Sequence, residues 1–195
     1  MTKADRTKTF IIESTAPLFN TKGYDGTSLE DLCSATGLTK GALYGNFENK
    51  DALFVAAFEY AIKRMREEGQ KLVDHANTNR GKLEALLKFF STYVLNPPVK
   101  GGCPLLNNAV DADDHRPKMK KVIARELQRS VEYISNLLDE GKAAGEFSAK
   151  FNSRTQAIFF FCAVEGAIMF SRVSSSDEAM KVVTSQIKQL VDGLV

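Results

Sequence analysis

Apolar residues recur at the three-and-four spacing of α-helices from one end of the chain to the other, and no stretch alternates with period two for long enough to predict a strand. A first helix is predicted from Asp5 to Lys22, with Phe10, Ile11, Leu18 and Phe19 on its stripe and Gly23 as its stop. Pro17 lies inside it and lacks the N–H that would bond to residue 13, so a kink or a tightened last turn is expected there. Ser28 and Asp31 have the spacing of a capping box and open a short second helix to about Thr36. Thr39 can cap a third, from Lys40 to about Asn46, and Asn49 a long fourth on which Leu53, Phe54, Ala57, Phe58, Ala61, Ile62 and Met65 share a face.

The pattern then continues. Leu83, Leu86, Leu87, Phe90 and Val94 mark a fifth helix that Pro97 and Pro98 end. Pro104 suits a first helical position, making Cys103 the N-cap of a sixth helix to about Asp113, and Pro117 opens a seventh that runs to Gly145. The eighth, Ser153 to about Val173, is apolar nearly all round, whereas the ninth, Asp177 to Val191, is amphipathic. The predicted fold class is all-α with about nine helices and no internal repeat. Residues 1–48 are expected to form one functional part and residues 49–195 the other.

Composition removes several classes of function. Three cysteines with no CxxC spacing fit neither a disulfide framework nor a zinc finger, and suit a reducing, cytoplasmic setting. The longest apolar stretch, Ala157 to Phe170, is broken by Glu165 and is too short to span a bilayer, so no membrane partner is expected. No GxSxG, HExxH, Walker-type or GxGxxG motif occurs, so an enzyme is disfavoured and no cofactor is expected. Net charge is only +2, which does not by itself point to nucleic acid.

The sharper signal lies in Ser28 to Phe47, SLEDLCSATGLTKGALYGNF. Leu32 and Leu43 are placed to face each other across two helices, Cys33 is small enough for a close crossing, Gly37 allows a tight turn, and Leu38 plugs the corner. These positions suit a helix-turn-helix, although on these residues alone a purely structural hairpin stays open. The longer run from Thr9 to Phe54, centred on GYDGTSLEDLCSATGLTKGALYGNFENKDALF, resembles the TetR/AcrR family of transcriptional regulators. That resemblance implies a helical homodimer that binds double-stranded operator DNA through its first three helices and an effector through the rest.

Carried over residue by residue, the resemblance implies that Thr27 and Ser28 meet a phosphate at the start of the second helix, where backbone N–H groups are free. Thr39, Lys40 and Gly41 would open the recognition helix in the major groove, and Tyr44 and Lys50 would clamp the DNA backbone. Phe47 reads as core. Gly45 and Asn46 depart from the family's larger groups, which predicts leaner base readout, with Asn46 either reading an adenine edge or ending the helix. Lys3, Arg6 and Lys8 could reach a minor groove or lie in a solvated tail.

In the second part, the eighth and ninth helices suit a two-fold dimer interface, with Phe160, Val164, Ile168, Val183, Ile187 and Leu190 as candidates. Phe58, Ile62, Phe90, Tyr93, Cys103, Leu106, Tyr133 and Leu137 are candidates to line an effector pocket for an unknown small molecule. Cys103 at a helix N-cap with Lys100 nearby has reason to favour thiolate, which leaves open a thiol that senses electrophiles or a small buried capping residue. Asp111, Asp113, Asp114 and His115 read as a solvated corner rather than a metal site. A helix-turn-helix adaptor that binds protein instead of DNA is the remaining alternative.

Overall fold

A computed structural model describes residues 2–112 and 116–194. Among the described residues it contains helices and no strand: α1 Lys3–Lys22, α2 Leu29–Thr36, α3 Lys40–Tyr44, α4 Lys50–Val73, α5 Asn79–Tyr93, α6 Pro104–Ala112, α7 Pro117–Ala143, α8 Ser153–Ser174 and α9 Glu178–Asp192. The chain is thus all-α, as its apolar spacing predicts. Helix α1 runs through Pro17 without interruption. Its first turn closes with a capping box that the sequence pattern left unread: Asp5 N–H donates to Thr2 Oγ1 at 3.1 Å, and Thr2 N–H to Asp5 Oδ2 at 2.8 Å.

Two compact units divide the chain. The first is residues 1–65 with 98–123, and the second is residues 66–97 with 124–195. In the first, α1 packs on α2 and α6, and α2 on α3. Its core contains Ile11, Phe19, Leu32, Leu43, Leu53, Phe54, Phe58 and Leu105, all with almost no exposed surface. Phe19 and Phe54 meet with ring centroids 5.1 Å apart. In the second unit α9 packs against both α8 and α5. Phe89, Phe90 and Tyr93 there form a ring cluster with centroids 5.1–6.0 Å apart. The N–H groups of Asn79 and Arg80 open α5 on the Glu146 carboxylate, at 3.1 and 2.9 Å. This charged acceptor satisfies donors that every helix start leaves free.

Glu126 breaks the apolar stripe of α7, and the structure shows how that is tolerated. Its side chain is buried, with Arg66 2.8 Å from Oε2 and Arg129 2.7 Å from Oε1. Both guanidiniums remain partly in water. Burying a carboxylate is tolerable only when nearby cations offset its lost hydration, here the hydrogen-bonded Arg129 guanidinium and the Arg66 ion pair.

Helix α8 corrects one expectation. The apolar run counted from sequence is shorter than the helix, which has 22 residues and is, by length and composition alone, the one described helix apolar enough to cross a bilayer. Ala157, Phe160, Val164, Ala167 and Ile168 turn inward in the second unit. Ile158, Phe159, Met169, Phe170 and Val173 turn outward, with Phe159 52% and Val173 85% exposed.

Candidate nucleic-acid interface

The α2–α3 pair is held by local chemistry. Asp31 N–H donates to Ser28 Oγ at 3.0 Å and Ser28 N–H to Asp31 Oδ2 at 2.9 Å, so the capping box predicted from spacing is formed. Lys22 Nζ stands 2.7 Å from Asp31 Oδ1 and ties the end of α1 to the start of α2. Its hydrogen bond, followed by those from Ser28, holds the Asp31 carboxyl down at about 2. Gly37 closes α2 at φ +66, a backbone shape that side-chain-bearing residues adopt with strain. Thr36 Oγ1 donates to the Leu32 carbonyl at 2.8 Å and accepts from Leu38 N–H at 3.3 Å. Leu32 and Leu43 are both fully buried beneath the turn.

Helix α3 follows from a second cap. Ala42 N–H donates to Thr39 Oγ1 at 3.2 Å, and Thr39, Lys40 and Gly41 are exposed together at the N-terminus. No side chain covers Gly41; a Cβ added there meets nothing within 4 Å. The first turn of α3 is therefore free to approach a large partner closely. Tyr44 is half-buried at the other end. The helix stops at Tyr44 rather than Asn46, because Asn46 Nδ2 turns back to the Ala42 carbonyl at 2.9 Å. This bond is the geometry expected of an Asn46 that ends the helix. Phe47 is half-buried, short of a full core position.

Two residues assigned to phosphate contact are otherwise engaged. Thr27 is fully buried and its Oγ1 donates to the Gly23 carbonyl at 2.7 Å, so its hydroxyl closes the turn between α1 and α2; Ser28 beside it is exposed. Lys50 donates from Nζ to the Tyr24 carbonyl at 2.6 Å and lies 4.1 Å from the centroid of the Tyr24 ring. Burial there pulls the Lys50 amine below its ordinary value. One of its three N–H bonds is spent inside the protein, so part of its role is structural. Lys3 opens α1, and Arg6 and Lys8 sit on its first turns, so these cations ride a helix rather than an extended arm.

The other candidates separate by burial. Phe58, Ile62, Cys103 and Leu106 belong to the first unit, the first three buried and Leu106 half-buried; Phe90, Tyr93, Tyr133 and Leu137 belong to the second. Tyr93 and Leu137 are buried, Phe90 half-buried, and Tyr133 exposed with its hydroxyl 3.2 Å from Gln70 Oε1. Of the residues expected at a dimer interface, Phe160, Val164, Ile168 and Ile187 are buried within their own unit. Val183 is half-buried and Leu190 exposed. Asp111 accepts from Tyr24 N–H at 2.9 Å, while Asp113, Asp114 and His115 lie outside the described residues.

Residues 11–57 match the model for bacterial regulatory proteins of the tetR family, and residues 80–187 match that for the tetracyclin repressor-like C-terminal domain. The chain belongs to the TetR family of transcriptional regulators. It is 35% identical to a TetR-family regulator from Cytophaga hutchinsonii, whose crystal structure superposes with a TM-score of 0.91 over 100% of this chain and 97% of that one. Among curated relatives, the transcriptional repressor ComR of Escherichia coli K12 is 24% identical over 189 residues, covering 94% of this chain and 88% of its own. A cysteine variant of the TetR-family regulator CifR, solved with a 26-bp double-stranded operator, shares the fold at 18% identity and a TM-score of 0.83, over 93% of this chain and 94% of that one.

Proposed function

We propose that this TetR-family regulator is a cytoplasmic repressor that binds a palindromic operator as a homodimer and is released by a small-molecule effector. Residues 1–48 read the DNA and residues 49–195 carry effector binding and dimerisation. The observation that carries the reading is the uncovered N-terminus of α3, where Thr39, Lys40 and Gly41 stand exposed on a rigidly capped turn. Recognition helices present such N-terminal residues to base edges. Ser28, Tyr44 and the remaining donors of Lys50 are assigned to the DNA backbone, and the operator complex of CifR supports DNA as the partner.

The outward apolar face of α8 supports a second copy of the chain as its cover. Phe159, Met169 and Phe170, continued by Val182 and Leu190 of α9, are too many exposed apolar groups for a face left in water. Two-fold pairing of the same patch covers it and relates two α3 helices by the same symmetry, which calls for a two-fold operator. The effector is received within residues 49–195.

In vitro selection of bound duplexes from a random pool, with the enriched site titrated against salt, tests this. A palindromic site whose log affinity falls steeply with log salt is the expected result. No enrichment at low salt from a folded dimer would sink the reading and favour a protein-binding adaptor.

A further inference from the structure

The turn that delivers the chain from α1 into α2 is held from outside by residues far along the sequence. Asp111, on the last turn of α6, accepts a hydrogen bond from Tyr24 N–H at 2.9 Å. Arg116, just before α7, places its guanidinium 3.7 Å from the centroid of the Tyr24 ring and pairs with Asp25. Lys50 lies near the same ring, 4.1 Å from its centroid, and the Tyr24 hydroxyl donates to Asp51. The Tyr24 N–H, carbonyl, hydroxyl and ring and the Asp25 carboxylate thus all have partners in the first compact unit. Tyr24 and Asp25 directly precede the Thr27–Ser28 entry into α2.

A second set of bonds acts one turn earlier. Asn20, buried near the end of α1, donates from Nδ2 to the carbonyls of Lys100 and Gly102 at 3.1 and 3.0 Å. Asn107 Nδ2 returns bonds to the Asn20 and Gly101 carbonyls at 2.9 and 2.8 Å. Gly101 has φ +121, and a Cβ on it would stand 2.6 Å from the Asn20 carbonyl oxygen. That close approach excludes any side chain. Lys100, Gly102, Asn107, Asp111 and Arg116 therefore hold the end of α1 and the turn after it at two levels.

We propose that Asp111 and Arg116 are positioning residues for DNA reading: they fix the Tyr24–Asp25 turn, and through it the pose of α2 and α3, without touching DNA themselves. This rests on the DNA-binding reading above. Their chemistry suits holding rather than contact. Asp111 would repel phosphate, and the Arg116 guanidinium is stacked on Tyr24 and paired with Asp25.

The test uses the full-length protein and compares its affinity for a site it selects from a random pool with that for a scrambled duplex. Asp111→Ala removes a negative charge, so electrostatics alone would tighten binding to both. Positioning requires the reverse for the selected site: the specific-to-scrambled ratio falls about 2- to 30-fold, a typical size for an indirect coupling. Asp111→Asn, which keeps an acceptor for Tyr24 N–H, restores most of the ratio. Arg116→Lys keeps the charge but loses the planar stack, and lowers the ratio as well. If Asp111→Ala does not fold, as judged by helical circular dichroism, Arg116→Lys carries the test. A folded variant of either kind with an unchanged or raised ratio overturns the proposal and leaves the regulator reading standing. If the wild type selects no site, the regulator reading itself has failed.

Discussion

Helix α3 has five residues and offers its first turn to solvent, whereas α8 has 22 and carries apolar side chains nearly all round. The short helix needs no partner to be understood, because its start, stop and exposed face follow from Thr39, Asn46 and Gly41 within a few residues of each other. The long helix cannot be assigned from its own pattern. Its composition demands that every face be covered but does not say by what, and the inward set Phe160, Val164 and Ile168 is chemically indistinguishable from the outward set Phe159, Met169 and Phe170. Local capping is read from chemistry at short range; burial depends on what else is present.

A charge on each of the two faces of α8 should break this contrast most sharply. Phe159→Glu is expected to leave a folded monomer and to cut operator affinity about 10²- to 10⁴-fold, the loss that accompanies one half of a bivalent contact. Sedimentation and anisotropy titration measure both. Val164→Glu, one turn on but facing inward, should instead unfold the chain, since it buries an unpaired charge. Equal behaviour of the two variants would refute the division of faces.

The helix-turn-helix offers a parallel pair. Leu43→Ala should lower stability by about 2–5 kcal/mol, as for other fully buried leucines, and thermal melting reads it directly. Lys40→Ala, three residues away but exposed, should leave the melt unchanged and relax sequence preference by about 1–3 kcal/mol at one base pair of each half-site. Lys50→Met lies between them. It should weaken binding to all sequences alike and also lower the melting temperature, because its amine is bonded to the Tyr24 carbonyl.

The smallest effect concerns acid. Asp31 is held at about 2, below its ordinary 3.8, by Lys22 and Ser28. A carboxyl depressed in the folded state stabilises above its unfolded value and ceases to do so as pH falls through the folded one. Asp31→Asn should therefore be less stable than the wild type near neutrality, with the difference closing as pH falls from about 4 to 2, so that the acid unfolding curve is flatter across that window. A wild-type curve already flat in that window would show that the capping box contributes nothing through charge.

Much of this was legible beforehand, for identifiable reasons. Gly37, Pro104 and Pro117 punctuate the chain strongly enough that α2, α6 and α7 start or stop where these residues predict. The start of α5 was missed because its cap is Thr78, several residues ahead of the first apolar position, and because its carboxylate partner, Glu146, is 66 residues on from Arg80. The roles of Thr27 and Lys50 shifted for a similar reason. A hydroxyl at a helix start and a lysine at the next could each serve phosphate, and only the folded turn reveals that Gly23 and Tyr24 claim them first. Arg116 carried no sequence signal at all, since a ring 92 residues earlier in the chain is what gives it a task.

The grip of Asn107, Asp111 and Arg116 on the end of α1 and the turn after it bears on recombination. Hybrid regulators are naturally imagined as a DNA-reading piece joined to a foreign sensor at a single junction after residue 48. Such a graft would sever Asn20 from Asn107 and Tyr24 from Asp111 and Arg116, leaving the transplanted reader with an unsupported hinge. The transferable piece is discontinuous, the first 65 residues together with 98–123. Sensors can be exchanged freely only between chains that carry matching acceptors and guanidiniums at that corner.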